Sequence, residues 1–363
     1  MKLRLQISFL IALSLLTALL APFGISSKFQ LDVLTLIFFT AYLGQSWNIL
    51  GGYAGQFSFG GVMFFGTGAY TSSILLNSFG VPPIIGIFAA ILMGTFLGLV
   101  VGYLSFRSGL RGSYFALITL AFAELLRVLA NSVEFTGGGV GLFLKYAPGL
   151  HNLQFTSPTG FYYFSLILLV ISIVIAIWLE RSRFGAQLIA IRENEDAAEA
   201  LGIDTLKCKI YAIMIMGGMG GAAGTFYAQK YLYIDPPISY SIALSVEMLL
   251  VTIVGGMGTV FGPLIGSFVV HSVNEIARHF ISTPGLSLIV YGLILIVIIL
   301  LNYKFIHLEK HFFLLLTLIF VAATILSIYH LGIEQGLIEE SLVCDLKNSS
   351  NLLSKEDILK QLQ

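Results

Sequence analysis

Long apolar runs dominate the chain and are separated by short polar segments. A helix needs about 20 mostly apolar residues to cross the hydrocarbon core of a bilayer. Uninterrupted runs that approach or reach this length lie at residues 5–23, 31–50, 82–105, 113–131, 161–180, 208–230, 285–302 and 311–330. The pattern predicts an all-α, polytopic integral membrane protein. The first run follows Lys2 and Arg4 but precedes no small-residue cleavage site, so we interpret it as a retained span.

Two further apolar regions, residues 51–79 and 242–280, are interrupted by glycine. The interruptions are Gly51-Gly52, Gly60-Gly61, Gly255-Gly256, Gly258 and Gly262-Pro263. Within a membrane, broken backbone is tolerated where it faces a cavity or other protein. The similarity of Leu50-Gly51-Gly52 to Val254-Gly255-Gly256 suggests an inverted repeat, whose interrupted segments are typical of transport sites. Closely packed helix kinks are the alternative interpretation.

Basic residues test the topology, because cytoplasmic loops hold more Lys and Arg than external loops. We place the N-terminus inside and let residues 51–79 cross once and residues 242–280 cross twice. The inside segments then hold Lys2, Arg4, Arg107, Arg111, Arg181, Arg183, Arg192, Lys207, Lys209, Lys304 and Lys310. The outside segments hold Lys28, Lys145, Lys230 and Arg278. This arrangement predicts about 9 to 11 transmembrane helices, two of them broken by glycine.

Composition agrees with the pattern and excludes several functions. Charged residues make up 10% of the chain, against about 25% in a soluble domain. The 19 basic residues balance 19 acidic ones, so no basic excess indicates a nucleic-acid partner. Cys208 and Cys344 lie far apart and form no Cys-x-x-Cys or Cys/His cluster, which leaves no disulfide framework or metal site to predict.

The glycine-rich string Gly217–Gly224 matches a G-x-G-x-x-A dinucleotide fingerprint. That fingerprint requires a preceding strand and an acidic residue about 20 positions later, whereas this string lies inside an apolar span. Glycines four residues apart instead predict close contact between two membrane helices. No cofactor is predicted.

Polar side chains within the apolar regions are candidates for a translocation pathway, because charges in lipid are costly and face the protein interior. Glu247 has no charged neighbour in sequence. Glu124 lies three residues before Arg127, which leaves a local ion pair as the alternative. Gln56 and Ser58 precede a new apolar run, whose helix N-terminus would favour a carboxylate. The predicted pathway also includes the glycines Gly255, Gly256, Gly258 and Gly262.

Residues 181–209 form the longest charged stretch before the C-terminal tail and predict a cytoplasmic loop. Residues 192–203 within it are typical of a short helix, because acidic residues stand near the start and Gly202 near the end. The small or apolar residues Ala197, Ala198, Ala200, Leu201 and Ile203 would give this helix a surface suited to docking in a groove. A solvated connector between two spans is the alternative.

Several separate stretches carry a family resemblance. They are Gly55–Gly60, Phe65–Thr71, Arg111–Glu124, Thr136–Gly138, Asn194–Gly202 and Gly255–Pro263. With these stretches the chain resembles the LivM-type permease subunit of bacterial ABC importers for branched-chain amino acids, over about residues 31–302. The loop also resembles the importer pattern in which Glu-Ala-Ala, three residues and Gly form a coupling helix, with Asp196 in place of the Glu.

The resemblance implies a subunit that is not itself an enzyme. The chain has no G-x-x-x-x-G-K-[ST] phosphate loop, so separate subunits would hydrolyse ATP. The implied partners are a LivH-like sister permease, two ATP-binding subunits, a periplasmic substrate-binding protein and the lipid of the bacterial inner membrane. The implied coupling helix comprises Glu195, Asp196, Ala197, Ala198, Glu199, Ala200, Leu201 and Gly202.

The resemblance also divides the chain into parts. Residues 1–302 form the permease domain with the coupling loop 181–209, residues 303–330 add a C-terminal span, and residues 331–363 form a short polar tail. An ion-coupled secondary transporter is the rival function, because interrupted helices suit it equally well. Within the family, a permease for urea or another small amide is the alternative.

Overall fold

The computed structural model of the chain describes residue 22, residues 27–280 and residue 292. Apart from residues 22 and 292, the predicted spans 5–23, 285–302 and 311–330 lie outside the described residues, as does the tail. The helices are α1 (Lys28–Asn48), α2 (Gly61–Phe79), α3 (Pro83–Arg107), α4 (Gly112–Ser132), α5 (Pro158–Arg181), α6 (Arg183–Glu193), α7 (Glu195–Ala200), α8 (Thr205–Tyr231), α9 (Pro236–Ser239), α10 (Ile242–Gly255) and α11 (Gly262–Phe280).

The predicted all-α, polytopic membrane fold is confirmed. Among the described residues, six helical segments are long and apolar enough to cross a membrane. They are Lys28–Tyr53, Pro83–Arg107, Gly112–Ser132, Pro158–Arg181, Thr205–Tyr231 and Pro236–Gly255. Most of α1 and α8 is buried, whereas α3 and α4 leave large apolar side chains such as Phe88, Leu92 and Leu117 exposed, as lipid-facing helices do.

Glycine brings α3 and α8 into backbone contact. A Cβ atom at Gly217 would overlap the carbonyl oxygen of Gly94, and a Cβ at Gly94 would overlap that of Gly217. Gly221 approaches Ala90 in the same way, and Gly224 lies against Phe65 of α2. The predicted role of the 217–224 string in helix packing is therefore confirmed.

Helix α10 and the first part of α11 fold back on each other. Helices α10 and α11 form a hairpin, because a Cβ at Gly255 would overlap the carbonyl oxygen of Gly262 and one at Gly266 would overlap that of Val251. The hairpin packs on α1, where the Thr252 hydroxyl donates to the carbonyl of Gly44 (2.8 Å). Of the two helices, α10 belongs to a segment long and apolar enough to cross a membrane, Pro236–Gly255, and the double crossing of residues 242–280 stays a prediction.

Residues assigned to opposite sides of the membrane lie at opposite ends of the bundle. Arg111 and Lys209, both assigned inside, contact Glu195 of the coupling loop. Lys230, assigned outside, pairs with Asp32 near the start of α1 (3.3 Å). At this outer end the strands β1 (Leu142–Phe143) and β2 (Tyr233–Ile234) pair antiparallel, with Leu142 opposite Ile234.

Candidate coupling loop and translocation site

The cytoplasmic loop contains two helices joined at a sharp corner. The Ser182 hydroxyl accepts a hydrogen bond from the backbone N–H of Gly185 and begins α6. Asn194 lies in extended backbone between α6 and α7, and its side-chain oxygen accepts from Ala197 N–H (3.0 Å). Gly202 follows α7 with φ of +85°, a conformation that favours glycine. The predicted short helix and its glycine ending are therefore present.

Glu195 ties the start of α7 to the membrane helices. Its carboxylate lies 2.5 Å from Lys209 Nζ on α8, and only 4% of the Lys209 side chain is exposed. Phe106 of α3 covers the same ammonium, with its ring centroid 4.8 Å away. A buried charge that loses its partner is costly, so this pair fixes the position of the loop helix.

Arg111 adds a second attachment from the α3–α4 connection. Its Nη1 donates to Asp196 Oδ1 (2.8 Å), and its Nε lies 3.5 Å from Glu195 Oε2. The hydrogen bond to Asp196 and the charge of Glu195 raise the pKa of Arg111. Two elements therefore hold α7: α8 through Lys209 and the start of α4 through Arg111.

The exposed face of α7 differs from the predicted one. Ala198 is only 2% exposed, so its side of α7 packs inward. The expectation that Ala198 belongs to an accessible docking face is therefore wrong. Asp196, Ala197, Glu199, Ala200 and Gly202 are exposed, and Leu201 is 83% exposed.

Arg192, at the end of α6, contacts both glycine-rich turns. Its Nη1 donates to the carbonyl of Gly52 (3.0 Å), and its side-chain stem crosses Gly55. A Cβ at Gly258 would lie 2.6 Å from the same Nη1 and 3.0 Å from the Gly52 carbonyl oxygen. The glycine-rich turn after α1 and the one after α10 therefore both contact the cytoplasmic loop at Arg192.

Asn48 joins the two turns directly. Its side-chain oxygen accepts from Gly258 N–H (2.7 Å), and its side-chain nitrogen donates to the Thr259 carbonyl (3.0 Å). Gly258 has φ of +69°, and the neighbouring Gly256 has φ of +111°. At this junction α1 ends in a π-helical turn, Ile49–Tyr53, a feature frequent at functional sites.

The glycine turns lie at the ends of helices beside α6, not half-way along a span. The expectation that Gly255, Gly256, Gly258 and Gly262 break a helix at mid-membrane is corrected accordingly: their missing side chains let the α10–α11 turn approach Gly52 and Arg192. Their part in the pathway and the inverted repeat stay predictions.

Gln56 and Ser58 lie in the segment between the π-helical turn and α2. The Ser58 hydroxyl accepts from Gly60 N–H (3.1 Å), and the Ser58 carbonyl accepts from the Trp47 indole (2.7 Å). Both side chains are buried, and Gln56 donates to the nearby carbonyl of Ala54 (3.3 Å). Ser58 therefore serves the turn itself.

A cavity of about 420 Å³ lies nearer the outer end of the bundle. Its wall is mostly aromatic and aliphatic and carries one acidic and one basic side chain. The lining residues are Thr35, Leu36, Phe39, Thr40, Phe65, Phe226, Tyr227, Lys230, Tyr231, Pro237, Ile238, Ser241, Ala243, Leu244 and Glu247. Of the predicted pathway residues, the cavity contains Glu247.

A chain of polar groups leads from Glu247 into the bundle. Glu247 Oε1 lies 3.7 Å from His271 Nε2, which is beyond hydrogen-bond distance. The same nitrogen is 2.7 Å from the Thr40 hydroxyl, which is 2.6 Å from the Ser267 hydroxyl. The Ser267 hydroxyl donates to the Ile37 carbonyl (2.7 Å). His271 of α11 thus lies between Glu247 and the polar groups of α1.

Glu124 occupies a different surface. Both of its carboxylate oxygens accept from Arg127, at 2.8 Å from Nε and 2.5 Å from Nη2. The pair is partly exposed on α4, and neither residue lines the 420 Å³ cavity. The structure therefore favours the local ion pair, and the pathway proposed below leaves Glu124 out.

Comparison with known proteins decides the family. Residues 29–299 match the family described as "Branched-chain amino acid transport system / permease component". The chain belongs to this family. It is 31% identical over 301 residues to the high-affinity branched-chain amino acid transport system permease protein LivM of Escherichia coli K12, covering 75% of this chain and 68% of that protein.

Other relatives include both permease types of this transport system. LivM of Salmonella typhimurium is 29% identical over the same shares of both chains. A probable LivH permease of Methanocaldococcus jannaschii is 24% identical over 254 residues, 64% of this chain and 75% of that protein. No solved structure gives a significant match. The resemblance predicted from the motifs is confirmed: the chain is a LivM-type, multi-pass permease component.

Several residues at this permease's two sites were missed by the sequence reasoning. Lys209 and Arg192 entered only as loop charges for the topology count, and Thr40 and His271 were not identified as site residues. For Lys209 a signal existed, since it is the second residue of the predicted apolar run 208–230, where a charge requires a partner. The others are brought together only by the fold.

Proposed function

We propose that the chain is the permease subunit of an ATP-driven importer that carries branched-chain amino acids across the bacterial inner membrane. The family match over residues 29–299 is the observation that supports this proposal. Urea or another small amide is the alternative cargo within the same mechanism. Residues 1–302 would form the permease domain, residues 303–330 an added span and residues 331–363 a tail.

Energy would come from partner subunits. The sequence lacks a phosphate-binding loop of the G-x-x-x-x-G-K-[ST] type, so two separate ATP-binding subunits are proposed to bind the cytoplasmic end. A LivH-like sister permease would complete the membrane channel, and a periplasmic binding protein would deliver the cargo. An ion-coupled secondary transporter, the rival function, would need no such docking surface.

The loop helix α7 is the proposed docking element. Its exposed side presents Ala197, Ala200 and the highly exposed Leu201, a small apolar surface that fits a groove on an ATPase subunit. Its other side is fixed by the Glu195–Lys209 pair and by Arg111. Movement of the ATPases would therefore displace α7 together with the membrane helices to which it is attached.

Helix α1 connects this end to the cavity. Its π-helical end receives Arg192 at Gly52, and Thr35 and Thr40 line the cavity. Thr35 and Gly52 are 17 positions apart, which corresponds to about 26 Å along a helix at about 1.5 Å per residue. We propose that the translocation pathway runs along α1 and the α10–α11 hairpin, from Glu247 to the glycine turns.

Replacing Leu201 by aspartate tests the docking surface. A buried anchor at an interface contributes about 2 kcal/mol or more to binding. The amount of ATPase subunit that co-purifies with the variant should therefore fall at least about tenfold. Leu150→Asp is the matched control, because Leu150 is 70% exposed in the α4–α5 loop at the other end of the bundle. If both variants retain the ATPase like the wild type, α7 does not dock it.

A further inference from the structure

The cavity beside Glu247 has the size and wall of a small-molecule site. Its volume of about 420 Å³ lies within the range of about 300–1,000 Å³ that is usual for ligand pockets. Phe39 stacks on Phe226 with ring centroids 4.8 Å apart, and Phe65 meets Phe39 edge-on at 6.4 Å. These packed rings form a firm apolar surface.

Glu247 can accept a cationic group from the cavity. The carboxylate faces a largely apolar wall, where an ionised group requires a partner. Within the part of the chain that the structure describes, its ion-pair partner is His271 at 3.7 Å, and no lysine or arginine pairs with it. Its oxygens retain room for hydrogen bonds from an ammonium group.

Lys230 supplies the complementary charge. Only 14% of its side chain is exposed, and its Nζ lies 3.3 Å from Asp32 Oδ1, whose side chain is half exposed. An ammonium has three donors, so this one long contact leaves capacity for a carboxylate. The cavity thus carries one anion, one cation and an apolar wall, which together complement a zwitterion with an apolar body.

We propose that this cavity is a substrate-binding site within the permease itself, for an α-amino acid with an apolar side chain. Glu247 binds the ammonium group, Lys230 binds the carboxylate, and the side chain packs against Phe39, Phe65 and Phe226. The substrate class rests on the proposed function. The site explains why α10 carries an acid in an otherwise apolar stretch, and it gives the permease a selectivity of its own.

The test measures binding of radiolabelled L-leucine to the assembled permease–ATPase complex in lipid nanodiscs, without the binding protein. Glu247→Gln and Lys230→Met should each weaken leucine binding at least tenfold. Glu124→Gln is the matched control, because it also neutralises an acid within a span but lies outside the cavity. It should bind leucine like the wild type.

Two competing ligands test which residue binds the ammonium group of leucine and which binds its carboxylate. Isopentylamine lacks the carboxylate of leucine, and 4-methylpentanoate lacks its ammonium group. The wild type should prefer leucine to both. Glu247→Gln should lose the preference for leucine over 4-methylpentanoate, and Lys230→Met should lose the preference for leucine over isopentylamine. The wild-type competition alone keeps the test decisive if a variant fails to assemble.

The binding site and the proposed function are tested by different measurements. The proposed function is tested by leucine uptake of the wild type, which should require both ATP and the binding protein. If uptake is intact and Glu247→Gln binds leucine with wild-type affinity and selectivity, the site is wrong. The site is also wrong if the wild-type complex binds no leucine at millimolar concentration, or if Glu124→Gln weakens binding as much as Glu247→Gln.

Discussion

Gly258→Leu is expected to abolish uptake while the chain still inserts into the membrane. The φ of +69° costs a leucine about 1–2 kcal/mol. Its Cβ would lie 2.6 Å from Arg192 Nη1 and 3.0 Å from the Gly52 carbonyl oxygen, so the α10–α11 turn would separate from α1 and α6. Overpacking of this kind costs a further 1–3 kcal/mol, approximately. Leucine uptake by reconstituted complexes is the measurement.

Gly80→Leu separates backbone strain from close approach. Gly80 ends α2 with φ of +64°, and, apart from its own neighbours along the chain, no described residue has an atom within 4 Å of the position of its Cβ. This variant should lose about 1–2 kcal/mol of stability and keep its uptake. Equal uptake by the two variants would show that contact among Gly258, Gly52 and Arg192 has no part in transport.

Arg192→Met is expected to uncouple ATP hydrolysis from transport. Methionine keeps much of the stem that crosses Gly55 but removes the guanidinium that donates to the Gly52 carbonyl. ATPase docking on α7 is unchanged, so ATP hydrolysis stimulated by the binding protein should persist. A hydrogen bond to a charged group contributes about 1.5–3 kcal/mol. Because the variant loses one, its uptake per ATP hydrolysed should fall at least about tenfold.

Arg183→Met is the matched control on the same helix. Arg183 begins α6, is exposed and forms no ion pair among the described residues. Its variant should show the wild-type ratio of uptake to hydrolysis. Arg192→Lys keeps the charge with a shorter donor group and should give an intermediate ratio. If Arg192→Met retains the wild-type ratio, the link from loop to glycine turn does not carry the coupling.

The helices were predictable because the membrane imposes a length and an apolar composition on each span. The predicted run 82–105 is α3 (Pro83–Arg107), and the predicted run 113–131 is α4 (Gly112–Ser132). These features depend on neighbouring residues along the chain.

The candidate sites depend on contacts between distant residues, which hydropathy does not encode. Gly52 and Gly258 each appear in sequence as a helix break, and only the fold shows that both meet Arg192. Ala198 and Leu201 are equally compatible with a docking face in sequence, but the way α7 lies on the bundle buries one and exposes the other. Glu247 was identified as a candidate because an acid with no charged neighbour in an apolar run requires an explanation. Lys230 was not identified as a site residue, because it stands at the end of the predicted run 208–230.

The central claim is that this permease moves branched-chain amino acids with energy from ATP hydrolysed by its partners. The most direct measurement is uptake of radiolabelled leucine into proteoliposomes that contain the purified permease pair and ATPase subunits. The account predicts uptake only when ATP and the loaded binding protein are both supplied, with no effect of a sodium or proton gradient. Uptake driven by an ion gradient without ATP, or uptake of urea in place of leucine under the same conditions, would contradict it.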